Sequence, residues 1–426
     1  MTDQQVALGL EGVVAFETTI AEPDRDGGCR PAGPTGCWRP TWAPDRAACE
    51  PCDHDGVRIP TELLPDDGRF GSGPSRIRPA QVAALAAAGA GLLGTSHRQE
   101  PVRALVRTVR LGVAELFDAP EGYEVVLGNG GSTAFWDVAT CCLVQDHVQH
   151  LVHGEFAAKF AAATARAPFV TQSDHVVAPP GSLARPHAAA GVDAYAWPHN
   201  ETSTGVIAPV QRVPGADPGA LVLVDATSAA GGVAVDVSQT DAYYFAPQKA
   251  FGSDGGLWLA LLSPAAVERA ERLAATDRWV PESLSLTTAL AASRKDETYN
   301  TPAVATLLLL AEQVTWLLDR GGLAWAAQRC LDSSGLVYDW ASRRAWATPF
   351  VTDPGLRSPV VATVNLDGVD AAEVSRVLRD HGVVDTEPYR KLGRNQLRIG
   401  TFPSVEPSDV GALLACVDHV VERLAG

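Results

Sequence analysis

The stretch YYFAPQKAFGSDGGLW, residues 243–258, decides the fold. A strand-like apolar run ends at Lys249 and passes at once into a loop rich in glycine and serine. Lysine is almost never fully buried unless paired. One that closes an apolar strand is therefore either the start of a solvated loop or an amine held there for its chemistry, and its neighbours in the fold decide which.

Upstream, the apolar run LVLVD ends in Asp225. The interval to Lys249 has room for one crossover and one further strand, so both side chains can emerge at the same edge of one sheet. YEVVLG (123–128), AYAWP (194–198), ALVLVDAT (220–227), AYYFAP (242–247) and GLWLALLS (256–263) are short apolar runs suited to a sheet covered on both faces. The segments between them can hold crossover helices, which predicts a layered α/β protein. An acid and a lysine placed this way suit pyridoxal phosphate, in which the lysine makes the Schiff base and the aspartate keeps the ring nitrogen protonated. The same pair would also serve as a structural ion pair. GNGGSTAFW (128–136) follows a strand and opens a predicted helix, so the amides and hydroxyls around Ser132 and Thr133 converge on a positive helix N-terminus, a phosphate site. The motif also fits a mononucleotide, and it lacks the G-x-x-x-x-G-K of a nucleotide triphosphatase.

With 426 residues, 46% apolar content and a mean hydropathy near zero, the chain can bury a large core and two domains. A formal net charge of -16 argues against nucleic acid or an anionic membrane as partner. An anionic small substrate would need a local cluster of arginines. The N-terminus has no basic region followed by an apolar core, and the longest apolar stretch, PAVATLLLLA (302–311), is too short to span a bilayer. A cytoplasmic protein is expected.

Of the eight cysteines, Cys141, Cys142, Cys330 and Cys416 read as small core residues. Cys29, Cys37, Cys49 and Cys52 precede the body, and Cys49 and Cys52 form a C-x-x-C with His54 close by, which makes zinc conceivable. The Cys29 to Cys37 spacing fits no common zinc ribbon, and no metal is expected.

Residues 1–58 read as an irregular or disordered extension, rich in Gly, Pro, Cys and Trp from residue 27 onward. The last hundred residues form a smaller alternating unit. There VVATVNL reads as a strand, followed by a helix opened by Asp370, with Glu373 in capping-box spacing, and closed by Gly382. After the strand QLRIGTF, a final helix places Val410, Leu413, Leu414, Val417, Val420, Val421 and Leu424 on one face.

From about Ile59 to the C-terminus the chain resembles the phosphoserine aminotransferases. The motifs that carry the likeness are FGSGPSRIRP (70–79), SHRQEPV (96–102), GNGGSTAFW, HNETSTG (199–205), DATSAAGG (225–232), FAPQK (245–249), TYNTP (298–302) and EPYRKLGRNQLR (387–398). Residues 9–24 separately resemble the opening of bacterial citrate synthases, over a span too short to carry that fold. The main resemblance implies a fold-type I pyridoxal phosphate transferase. Its large α/β/α domain with a mostly parallel sheet would span 59–325, with 59–80 packing near the active site and the small domain. A smaller C-terminal α/β domain would span 326–426.

The resemblance also implies a role for each site residue. Lys249 would form the Schiff base, Asp225 would bind the ring nitrogen, and Thr202 the phenolic oxygen. Phe156, in HGEF, falls where many members stack a tryptophan on the ring. Ser132, Thr133 and Gln248 would bind the cofactor phosphate, with Asn300 and Thr301 reaching it from the neighbour in a homodimer. His97, Arg98 and Arg390, with Lys391, match the positions that bind the substrate phosphate, and Arg398 the arginine that holds the α-carboxylate. Tyr389 stands where the family has histidine, and two extra residues separate Arg390 from Arg398.

The implied reaction is amino transfer between L-glutamate and 3-phosphohydroxypyruvate in serine biosynthesis, with the 4-phosphohydroxythreonine step of vitamin B6 synthesis as an extension. A class V enzyme of the alanine–glyoxylate type and a non-catalytic cofactor-binding regulator are the alternatives.

Overall fold

The computed structural model describes residues 56–424. The citrate-synthase-like stretch and the Cys29, Cys37, Cys49, Cys52 and His54 group lie outside the described residues.

A seven-stranded sheet forms the centre. Across it run Glu124–Gly130, Gly256–Leu262, Ala242–Phe245, Leu221–Asp225, Ala194–Pro198, His147–Val152 and Gln172–Val177. All neighbours pair in parallel except Gly256–Leu262, which is antiparallel to both of its neighbours. The reason is the length of the connection. A parallel crossover needs about a dozen residues or more, and residues 246–255 are too few to make one, so the chain turns back on itself. Lys249 is thereby left in the turn, at the carboxyl edge of the parallel strands, where α/β sheets place their ligands.

Side chains of successive strand residues point to opposite faces, and the core divides accordingly. Val125, Leu127, Val222, Val224, Tyr243, Phe245, Leu257 and Leu259 join one apolar cluster, whereas Val126, Leu221, Leu223, Tyr244, Trp258 and Ala260 join another. Helices Glu100–Leu116 and Val304–Asp319 cover the first face. Ser132–Cys142, Glu155–Thr164, Pro264–Ala274 and Leu286–Ser293 cover the second. Glu100–Leu116 buries Val102, Val106, Val109, Gly112, Val113 and Leu116, one stripe at helical period. A Cβ on Gly112 would come within 2.4 Å of Val314, so glycine there lets the two covering helices approach.

A second core surrounds the antiparallel sheet Ala347–Pro349, Val361–Leu366, Gln396–Gly400 and the helices Ala371–Asp380 and Pro407–Leu424. Its final helix buries the expected face from Val410 to Val421. Asp370 caps Ala371–Asp380 through the Ala372 N–H at 2.9 Å, and Gly382 follows that helix with φ +83°. Glu373 does not complete a capping box, because its carboxylate turns outward to Arg376 at 2.7 Å. Helix Gly322–Ser342 runs through the boundary expected at 325/326: Ala326 packs in the large core and Trp340 in the small one.

Ile59 and Phe70, from the start of the described chain, are buried in the second core. From there a strap runs to the large sheet. The Phe70 carbonyl accepts from Gly400 N–H at 2.8 Å, and Ser75 N–H donates to the Gln248 carbonyl at 2.8 Å.

Two strands of the central sheet were absent from the sequence reading. His147–Val152 is fully built in, yet the residues it buries include Gln149 and His150, so it shows no apolar run. Gln172–Val177 is an edge strand, mostly exposed or half-buried. Cys142, Cys330 and Cys416 are buried and Cys141 is half-buried, all as free thiols. Among the described residues no helix is long and apolar enough to cross a membrane, and no group of three or more His, Cys, Asp or Glu could hold a metal ion.

Candidate active site

At the carboxyl edge of the sheet a cavity of about 420 Å³ opens between Lys249, Asp225, Phe156 and the start of helix Ser132–Cys142. It is lined by Ser132, Thr133, Trp136, Asn200, Thr202, Thr227, Ser228 and Gln248. Gly73 and Pro74 of the strap also line it.

Lys249 is 9% exposed, and its amine donates to the Ser72 carbonyl. Burial, reinforced by the charge of Arg398, pulls the amine down to about 7, against the opposing pull of Asp225 and Glu201. A Cβ added to Gly73 would lie 2.0 Å from the Lys249 Nζ. Only glycine lets the strap lie across this lysine.

Asp225 is held from two sides, by Trp136 Nε1 donating to Oδ2 at 2.8 Å and by Thr227 N–H donating to Oδ1 at 2.9 Å. Burial pushes its carboxyl up, and the bonds from Thr227 and Trp136 and the charge of Lys249 act the other way. Thr227 Oγ1 donates to Ser132 Oγ at 2.8 Å, tying the strand end to the helix start. Thr202 Oγ1 and Asn200 Nδ2 both donate to Ser228 Oγ, at 2.8 and 2.9 Å. Trp136, Thr227 and Ser228 were missed as site residues although they stand within GNGGSTAFW and DATSAAGG. Trp136 lies one helical turn after Ser132, and only that turn brings its indole back to the sheet edge.

Phe156 sits at the mouth, its ring 5.9 Å from that of Tyr389. Tyr389 in turn lies 5.5 Å from the Arg398 guanidinium. Arg398 leaves strand Gln396–Gly400 toward the site and donates to the Thr202 carbonyl at 3.4 Å. Lys391 pairs with Glu155, and Arg390 is exposed with no side-chain partner among the described residues.

Of the expected site residues, Arg390 and Arg398 do not line this cavity, and neither do His97, Arg98, Asn300 and Thr301. His97 Nδ1 is 3.1 Å from Thr301 Oγ1, Arg98 pairs with Glu297 at 3.1 Å, and Asn300 and Thr301 are exposed. They form a separate cluster joined to the sheet by Asn129 Nδ2, which donates to the Thr301 carbonyl at 3.1 Å.

Several buried polar atoms here have no protein partner: Gln248 Oε1, Asn200 Oδ1 and Arg398 Nε. Buried polar groups are nearly always bonded, so these are acceptors and donors shaped for a polar ligand. Helix Ser132–Cys142 also starts without a side-chain cap, leaving its first N–H groups directed at the cavity. An amine poised near neutrality, a buried carboxylate, an anion-seeking helix start and an aromatic at the mouth together fit pyridoxal phosphate.

The family model for aminotransferase class-V matches residues 80–384. A protein of Mycolicibacterium vanbaalenii, provisionally named a phosphoserine aminotransferase, is 61% identical over 371 residues, covering 87% of this chain and all of that one. A phosphoserine aminotransferase of Nocardioides sp. is 57% identical over 372 residues, covering 87% of this chain and 100% of its own length. Among solved structures, a phosphoserine aminotransferase from Cytophaga hutchinsonii superposes with a TM-score of 0.77 at 22% identity, over 83% of this chain and 99% of that one, a likeness of fold. A family model matched over most of the chain, and relatives of this identity over their whole length, place the cavity in a known setting: the chain belongs to the aminotransferase class-V family.

Proposed function

We propose that the chain is a phosphoserine aminotransferase, moving an amino group between L-glutamate and 3-phosphohydroxypyruvate to give 2-oxoglutarate and O-phospho-L-serine in L-serine biosynthesis. The observation that carries this reading is the buried Lys249 amine, set in one cavity with Asp225 and within reach of the Arg398 charge. The cofactor is pyridoxal 5'-phosphate, which when bound supplies an aldehyde for amine exchange and a ring that accepts electrons.

In this reading Ser132, Thr133 and Gln248 hold the cofactor phosphate and Asp225 faces the ring nitrogen. Thr202, braced by Ser228, faces the phenolic oxygen, and Phe156 covers the ring. Arg398 grips the substrate α-carboxylate with two parallel N–H groups. Lys249 Nζ takes the proton from the substrate Cα and later returns one, a task suited to an amine whose two forms are both populated near pH 7. Incubation of the chain with O-phospho-L-serine and 2-oxoglutarate should form L-glutamate. Glutamate formation from alanine but not from phosphoserine would overturn the assignment.

The substrate phosphate falls to Arg390, His97 and Arg98, with Lys391. Arg98→Ala and Arg390→Ala should each weaken the phosphorylated substrate about ten- to a hundredfold and glutamate far less, since a hydrogen bond to a charged group contributes about 1.5 to 3 kcal/mol. KM measured for both substrates checks this, and equal losses would show the pocket to be misplaced. The longer phosphorylated 2-oxo acid of vitamin B6 synthesis carries the same two anionic groups and is included as a second substrate.

The active unit is a two-fold homodimer with shared sites. The support is positional: His97, Arg98, Asn300 and Thr301 lie together outside their own cavity, as residues serving a neighbour's would. Mixing a Lys249→Ala chain with an Asn300→Trp, Thr301→Trp chain should restore part of the activity, because one hybrid site is intact. Heterodimers that stay inactive would refute shared sites. We also read 59–325 as the cofactor-binding domain and 326–426 as the small domain, supported by the two cores except at Ile59, Phe70 and Ala326, which pack across the division, and place the protein in the cytoplasm.

A further inference from the structure

Helix Glu155–Thr164 begins without a cap of its own. Its N-cap is Gly154, which has no side chain to offer, so the first N–H groups of the helix need acceptors from elsewhere. They find them in Glu201, a residue with no exposed surface, on the short strand Asn200–Glu201. Ala157 N–H donates to Glu201 Oε2 at 3.0 Å and Phe156 N–H to Oε1 at 3.4 Å. Glu155 N–H donates to Ser203 Oγ at 3.0 Å, and that hydroxyl donates onward to Glu201 Oε1 at 2.6 Å. Ser203 N–H adds a further bond to Oε1 at 3.1 Å. A Cβ on Gly154 would lie 2.2 Å from the Glu201 Cγ, so the missing side chain at the helix start is the space the carboxylate occupies.

This cap joins two pieces of the active site that are distant in sequence. Phe156 is the second residue of the capped helix, and Thr202 and Asn200 flank Glu201; all three line the cavity. We propose that Glu201 is a positioning residue for amino transfer, fixing the ring of Phe156 and the hydroxyl of Thr202 in one frame around the cofactor. Burial raises its carboxyl, and the bonds from Ser203, Ala157 and Phe156 oppose that rise. The proposal rests on the pyridoxal phosphate reading of the cavity, and the wild-type chain tests that reading separately.

The experiment measures the dissociation constant of pyridoxal phosphate for the apoprotein, together with the visible spectrum of the loaded enzyme. If wild type binds no cofactor, the functional reading fails. Given a wild type that binds, Glu201→Gln should weaken the cofactor about five- to tenfold, the size of one lost helix cap, because its amide group would face the Ala157 N–H. In a Phe156→Ala background the same substitution should cost less than about threefold, since residues acting through one another are not additive. Ser203→Ala removes the relay from Glu155 and should give about a threefold loss. It decides the matter if Glu201→Gln does not fold. A folded Glu201→Gln with wild-type affinity and spectrum would overturn the proposal. So would equal losses with and without Phe156, or, failing a folded Gln variant, an unchanged Ser203→Ala.

Discussion

Lys249→Ala should leave a folded chain that no longer holds its cofactor covalently and turns over at a small fraction of the wild-type rate. Loss of a positioned acid–base group alone accounts for about 10²- to 10⁴-fold, and among the described residues no other amine lines the cavity to replace it. Far-UV circular dichroism would verify the fold, the visible absorbance would report the covalent link, and glutamate formation from phosphoserine would report turnover. A variant within threefold of wild type would remove Lys249 from the mechanism. The structure also limits the side effects of the change: the alanine loses the bond to the Ser72 carbonyl, while the main-chain contact from Ser75 Oγ to the Lys249 carbonyl remains.

Asp225→Asn tests the other end of the cavity. The amide has nearly the size of the carboxylate, so the pocket keeps its shape and loses its charge. One of its two polar atoms becomes a donor, and it must then face either Trp136 Nε1 or the Thr227 N–H, both of which already donate to Asp225. Removing a preorganised electrostatic partner of this kind reduces kcat by about 10²- to 10³-fold. Cofactor affinity should fall with it. Steady-state kinetics at saturating cofactor separate the two effects, and a kcat within threefold of wild type would show that Asp225 is a structural acceptor for the indole and nothing more.

Much of this site was legible in the chain because apolar strands ended in residues that do not belong there. LVLVD and YYFAPQK each carry a charge out of a buried run, and the interval between Asp225 and Lys249, with room for one crossover and one further strand, put both charges at one edge of the sheet. Strands whose buried faces are polar were invisible to the same logic, as with Gln149 and His150 in His147–Val152. Contacts that need a helical turn or a crossing were also hidden, such as Trp136 on Asp225 and Glu201 on the start of helix Glu155–Thr164. SHRQEPV identified His97 and Arg98 as candidates. It did not reveal that they sit with Thr301, away from Lys249. At Glu373 the local pattern favoured a capping box, and an ion pair with Arg376 prevailed.

The strap from Ile59 to Ser75 has a consequence for the order in which the molecule is made. Ile59 and Phe70 are packed among Leu397, Ile399, Val410 and Val417, and Phe70 bonds to Gly400. A chain emerging from the ribosome N-terminus first can assemble the large sheet once residue 262 and the covering helices are out, yet the apolar anchors of the strap wait for partners more than three hundred positions later. Until those partners arrive, Ser72 and Gly73 have no fixed support from the second core and the wall beside the Lys249 amine is incomplete. The large sheet can therefore form before the lysine pocket is finished, which waits until the strap's partners up to Val417 have emerged.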